Sequence, residues 1–144
     1  MSEPKAQSKS QSKTELLARV PLFQHCSRKE LEFLAGQTDE VDIDPGRTLI
    51  RQGEPSDTFY VLIEGRAAVT VNGHRRPEMS AGDFFGEISM LDRGLATATV
   101  HASAPTRALV MTHVQFRDAI KGDDSLLASV MSAMAARLRA DQTR

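Results

Sequence analysis

The stretch Phe84-Phe85-Gly86-Glu87-Ile88-Ser89-Met90-Leu91, continued by Asp92-Arg93-Gly94-Leu95 and Ala96-Thr97-Ala98-Thr99-Val100, decides how the chain is read. It has the pattern of a glycine-hinged turn, one short helical turn, a loop and a strand. A glycine before a helix lets the backbone come close to a ligand, and the first free N–H groups of that helix favour an anion. Glu87, at the mouth of the turn, has the wrong charge for a phosphate but is a good acceptor for a sugar hydroxyl. Together these parts point to a pocket for a sugar-phosphate ring.

Upstream of this stretch the chain has the punctuation of a β protein. Val41 and Ile43 alternate with acids, and Asp44-Pro45-Gly46 makes a turn. Thr48 to Arg51 reads as a strand stopped at Gly53, and Phe59 to Ile63 as a buried strand closed by Glu64-Gly65. Ala67 to Val71 alternates, Asn72-Gly73 is a two-residue hairpin signal, and His74 to Met79 returns as an edge strand because it holds Pro77. Ala98 to Ala102 and Arg107 to Met111 follow. About eight short strands at even spacing imply a mainly β protein, an antiparallel jelly-roll barrel with flanking helices.

The flanks are helical. Leu16, Leu17, Val20 and Phe23 fall at helical spacing in a segment broken near Pro21. Ser27-Arg28-Lys29-Glu30 is a capping box before Leu31, Phe33 and Leu34, and Gly36 is a stop. Thr112 and Gln115 open another capped helix with Val114, Phe116 and Ile120 inside. Asp124 is expected to cap the last helix, whose apolar face reads Leu127, Val130, Met131, Met134 and Leu138. That face has two readings: packing on the barrel of its own domain, or covering the pocket or a second subunit. The expected organisation is a disordered polar tail at 1–13, then one domain at 14–144. Within it helices occupy 14–36, the barrel 38–112, and helices 113–142.

Composition narrows the class. A chain of 144 residues, 40% hydrophobic and 26% charged, suits one soluble globular domain. A net charge of −1 argues against a broad electrostatic footprint for nucleic acid or membrane. The single Cys26 excludes an internal disulfide and a cysteine zinc cluster, and reads as a small buried apolar residue. His25, His74, His101 and His113 are isolated, without the clustered ligands a metal-dependent enzyme on a jelly roll needs. No metal and no enzymatic activity are expected. The polar start is no signal peptide and Phe59 to Ile63 is far too short to span a bilayer, which leaves the cytoplasm as the default compartment.

Phe-Gly-Glu-Ile-Ser-Met followed by Thr-Ala-Thr-Val resembles the phosphate-binding cassette of cyclic nucleotide-binding domains, such as those of catabolite-activator-like regulators and protein kinase A regulatory subunits. The run Leu49-Ile50-x-x-Gly53-Glu54-x-Ser56-x-x-Phe59-Tyr60-Val61-Leu62-x-x-Gly65 is similar to a second motif of that family, with Ser56 where a smaller residue is usual. Leu22-Phe23-x-x-Cys26-Ser27-x-x-Glu30-Leu31 resembles its helical entry. The likeness runs from about Leu17 to Leu138.

The resemblance implies a cyclic nucleotide, cAMP or cGMP, as ligand. Gly86 and Glu87 would hold the ribose, Glu87 accepting from the 2′-hydroxyl. The family's phosphate-pairing arginine falls on Ala96, a serious departure. The remaining donors are the N–H groups near Ile88, Ser89, Thr97 and Ala98, the hydroxyls of Ser89 and Thr97, and Arg93 or Arg137 if either approaches. A threonine at the position of Thr97 contacts guanine in cyclic-GMP-selective members. Two functions follow. One is a stand-alone signalling module whose last helix moves on ligand binding and is read by a protein effector, with a homodimer through that helix as a further option. The other is a degenerate domain that works by protein contact without nucleotide. Many relatives carry a DNA-binding helix-turn-helix after the last helix. No such segment precedes Arg144, so direct DNA binding is not expected.

Overall fold

The computed structural model describes residues 13–87 and 94–142. The chain forms two compact units, Thr38–Phe116 and a helical unit built from the residues up to Gln37 together with those from Arg117 onward.

The first unit is a β-roll. Its strands are β1 (Asp39–Ile43), β2 (Thr48–Ile50), β3 (Thr58–Glu64), β4 (Ala67–Val71), β5 (His74–Met79), β6 (Phe84–Phe85), β7 (Thr99–Ala102) and β8 (Thr106–Thr112). They make two four-stranded antiparallel sheets, ordered β1-β8-β3-β6 and β2-β7-β4-β5. Among the described residues the strands form two separate sheets rather than one closed barrel. The eighth strand is β6, which pairs Phe85 with Tyr60 and Phe84 with Val61. It lies in the stretch read from sequence only as a hinged turn, because two residues are too few for an alternation to show.

Inward-facing side chains from both sheets make the core: Ile43, Leu62, Ala67, Val69, Phe85, Val100, Ala102 and Ala108, with Ile50, Tyr60, Met79 and Ala98 packed against them. The β4–β5 hairpin turns at Asn72 (φ 54°) and Gly73 (φ 79°), the left-handed pair that suits the twist of the strands. Gln52 reinforces it: its Nε2 donates to Asn72 Oδ1 at 2.7 Å and its Oε1 accepts from Asn72 N at 2.8 Å. β5 is an edge strand, and the register shifts between Ala67 and Val69, so an extra residue on β5 bulges beside Pro77.

In the helical unit, residues 13–18 are helical, Pro21–Phe23 form a 3₁₀ turn, and α1 runs Arg28–Gly36. The tail expected at 1–13 lies outside the described residues except for Lys13, which is helical. The Ser27–Glu30 box is present in both directions: Glu30 N donates to Ser27 Oγ at 3.1 Å and Ser27 N to Glu30 Oε1 at 2.8 Å. Helix α2 (His113–Lys121) follows β8 directly and is opened by the reciprocal Thr112–Gln115 bonds.

Helix α3 (Asp124–Gln142) departs from expectation in two ways. Its cap is Asp123, whose Oδ1 accepts from Ser125 N at 3.0 Å and Leu126 N at 3.1 Å; Asp124 is already helical. Its buried face is Leu126, Val130 and Ala133, while Leu127, Met131 and Met134 stay exposed at 37%, 59% and 38%. Hydropathy favoured the methionines, but close packing selects for size, and the small Ala133 is the buried residue. The Leu138 side chain lies outside the described residues. Val114 and Phe33, also read as inward, are exposed, whereas Phe116 is buried as expected and Ala119 is buried with it. Cys26 is half-buried rather than fully buried.

Candidate functional site

The site begins where β6 ends. A turn at 80–83 is tied by Ser80 N to Asp83 Oδ2 (2.8 Å), and the chain is then laid onto β3 through Leu62 N to Asp83 O (2.9 Å). This fixes Phe84 and Phe85, and Gly86 follows at φ +85°. A Cβ on Gly86 would be driven into the carbonyl oxygen of Thr58 and lie 3.5 Å from the Phe59 Cα, so close backbone approach and left-handed geometry both demand glycine. The next residue, Glu87, is only 8% exposed and interacts within the chain. The carboxylate is therefore held at the end of the roll rather than free on the surface.

From Gly94 the chain runs as a zipper against the loop after β2. Ser56 N donates to Gly94 O at 3.1 Å, Ala96 N to Glu54 O at 2.9 Å, and Gly53 N to Ala96 O at 2.9 Å. Ala96 thus has both backbone groups engaged and is 5% exposed. It offers neither a charge nor a free amide. Thr97 is exposed, Ala98 packs on the core, and the Thr99 hydroxyl accepts from Gln52 N at 2.9 Å. Ile88, Ser89 and Arg93 lie outside the described residues, as does the side chain of Arg137.

Facing this end of the roll is an aromatic pair that the sequence did not disclose. Tyr60 and Phe85 stack with centroids 4.8 Å apart and planes at 15°. They are cross-strand partners on one face, a relation that depends on register and not on spacing along the chain. Two hollows flank Tyr60. One, of about 200 Å³, is lined by Thr48, Ile50, Arg51, Ser56 and Thr58 among others. The other, of about 180 Å³, is lined by Val41, Ile43, Arg47, Leu49 and Val110. Glu87 lines neither. Burial pushes the Tyr60 hydroxyl above its usual range, with Arg47 pulling the other way. The hydroxyl lies 3.5 Å from Leu49 O. Among the described residues no three His, Cys, Asp or Glu side chains gather as a metal site, and no helix is long and apolar enough to cross a membrane.

The β unit is a two-sheet roll with a glycine-glutamate corner after β6, and helical segments precede and follow the strands in the sequence. Residues 40–123 match the cyclic nucleotide-binding domain family, and the chain belongs to it. A CRP-like cAMP-activated global transcriptional regulator of Mycobacterium tuberculosis is 30% identical over 133 residues, covering 87% of this chain and 58% of that protein. The cAMP-dependent protein kinase regulatory subunit of Dictyostelium discoideum is 30% identical over 110 residues, covering 71% of this chain and 34% of that protein. The crystal structure of the N-terminal domain of a transcriptional regulator from Streptomyces coelicolor A3(2) superposes with a TM-score of 0.80 at 26% identity, covering 89% of this chain and 92% of that one. The chain therefore spans less than two thirds of the length of one curated relative and about one third of the other.

Proposed function

We propose that this chain is a non-enzymatic cytoplasmic signalling module that binds a cyclic nucleotide, cAMP or cGMP, at the end of its β-roll. The ribose 2′-hydroxyl meets Glu87. The phosphate meets amides of the cassette and of Thr97 and Ala98. The observation that carries this reading is the Gly86-Glu87 corner: a left-handed glycine pressed on the Thr58 carbonyl is followed by a buried glutamate, two residues after the Phe85 that stacks on Tyr60. Occupancy shifts the population of α3, and a protein effector reads that shift.

Titration calorimetry with cAMP and with cGMP is the test. Saturable heat for either supports the reading, and no response to either at millimolar concentration overturns it. Charge-assisted contacts contribute roughly 1.5–3 kcal/mol, so alanine at 96 is expected to weaken affinity about ten- to 150-fold against a member that keeps the arginine.

A second reading is favoured by a separate observation. Leu127, Met131 and Met134 form an exposed apolar stripe on α3, suited to an effector or a second copy of the chain. If the domain works by protein contact alone, the same titration is silent and substitutions in that stripe abolish function.

A further inference from the structure

The strand register places one arginine on the inner face of the roll. In an antiparallel sheet, residues directly opposite each other project to the same face. Ile50 lies opposite Val100, Val100 opposite Val69, and Val69 opposite Arg76. Val100 and Val69 are buried in the core and Ile50 packs against it, so this row lines the interior and Arg76 is its outermost member. Arg75 is paired with Thr70 and belongs to the opposite face.

Arg76 is on an edge strand and exposed, so its head group is not walled in. Among the described residues none forms an ion pair or side-chain hydrogen bond with its guanidinium, whereas Arg66 is held by Glu78 and Arg107 by Asp42 and Glu40. Adjacent strands are about 4.8 Å apart, so Arg76 sits two strands, roughly 10 Å, from Val100. Ala98 lies two residues, roughly 7 Å, further along the chain from Val100, so its Cα is about 12 Å from that of Arg76, a gap that an extended arginine and a phosphate between them can span.

We propose that Arg76 supplies the positive charge that Ala96 lacks, meeting the anionic cyclic phosphate diester from the β5 edge. This rests on the nucleotide-binding reading above. A guanidinium offers a planar fork for two phosphate oxygens and stays charged at every working pH.

The experiment is titration of the full chain and of Arg76→Gln, Arg75→Gln and Arg76→Gln/Ala96→Arg with cAMP and cGMP at two salt concentrations. Uncharged adenosine and guanosine serve as controls, and melting without ligand checks the fold. Arg76→Gln is expected to weaken cyclic nucleotide binding roughly ten- to hundredfold and to flatten its salt dependence. Arg75→Gln is expected to stay within about twofold, since the alternation turns it away from the ligand. Ala96→Arg is expected to restore affinity in the Arg76→Gln background and to add less to the wild type, because the two sites share one phosphate. Equal losses in both single variants, or no loss in Arg76→Gln while the wild type binds, overturn this assignment alone. So does an equal loss for the nucleosides, which would place the guanidinium on the sugar or base. A wild type that binds neither nucleotide overturns the parent reading as well.

Discussion

Glu30 and Glu87 are the two buried carboxylates of the described chain, at 7% and 8% exposure, and they are buried for different reasons. Glu30 is surrounded by donors. Ser27 N reaches one oxygen at 2.8 Å, Ser129 Oγ reaches the same oxygen at 3.0 Å, and Ser125 Oγ takes the other. These bonds, that of Ser125 first and the Ser27 amide next, hold its carboxyl below the usual range against the opposing effect of burial. The result ties the start of α1 to the first turns of α3 within the helical unit. Glu87 follows a two-residue strand and a glycine in a conformation other residues avoid. A carboxylate saturated by local hydroxyls is scaffold. One carried after a left-handed glycine corner is, on the proposed reading, the group that meets the ligand.

The largest effect expected at either glutamate comes from the glycine that presents the second. Gly86→Val combines a positive φ with a collision against the Thr58 carbonyl. It should destabilise the roll by about 3 kcal/mol and abolish nucleotide binding. Thermal melting and titration read both. An unchanged melting temperature would mean that the corner relaxes freely, and the contrast between the two glutamates would lose its basis.

Next comes Glu30→Ala, which strands two hydroxyls and an amide and should cost about 2 kcal/mol of folding stability. If the cassette binds independently of this tie, affinity measured well below the melting point should be unchanged. Glu87→Gln should do the reverse, leaving melting nearly intact while weakening nucleotide binding. Acid sharpens the same contrast. Because the folded pKa of Glu30 is depressed, its contribution is fully present above the unfolded value of about 4.3 and is lost as pH falls through the folded one. Wild-type stability should therefore fall more steeply than that of Glu30→Gln below about pH 4. Parallel pH profiles would remove Glu30 from that role.

The same pair marks what was legible in the sequence. The Ser27–Glu30 half of the Glu30 site is three residues long and could be read as a capping box. Ser125 and Ser129 are 95 and 99 residues away and carry no local signal. Most of the strand positions along the chain, the Asn72-Gly73 hairpin and the edge position of β5 were legible because turn chemistry and proline act locally. Strand β6, the Tyr60–Phe85 stack and the inward row ending at Arg76 were not, since register decides them and register is a property of pairs. The α3 stripe misled for a related reason: hydropathy ranks Met131 above Ala133, whereas the packed interface selects for size. The departure at Ala96 was plain from the sequence. The structure adds that its backbone is committed to Gly53 and Glu54, so the missing charge has no substitute at that residue.

The smallest effect tests the field of Glu30 rather than its bonds. Cys26 lies near it, and its thiol is pushed up to about 11, first by burial and then by the negative charges of Glu30 and Asp123. Against an ordinary thiol near 8.5, that leaves roughly two orders of magnitude less thiolate at pH 8. Iodoacetamide should therefore alkylate Cys26 far more slowly in the folded chain than in urea. Glu30→Gln removes the second cause and leaves the first, so the rate should rise only severalfold, with the pH–rate curve displaced to lower pH. Glu87→Gln belongs to the other unit and should leave the curve where it is. A Glu30→Gln curve that coincides with the wild type would leave burial and Asp123 as the causes of the elevation. Folded and unfolded rates that agree would show that the thiol is open to solvent and that the pocket around Glu30 is looser than its hydrogen bonds imply.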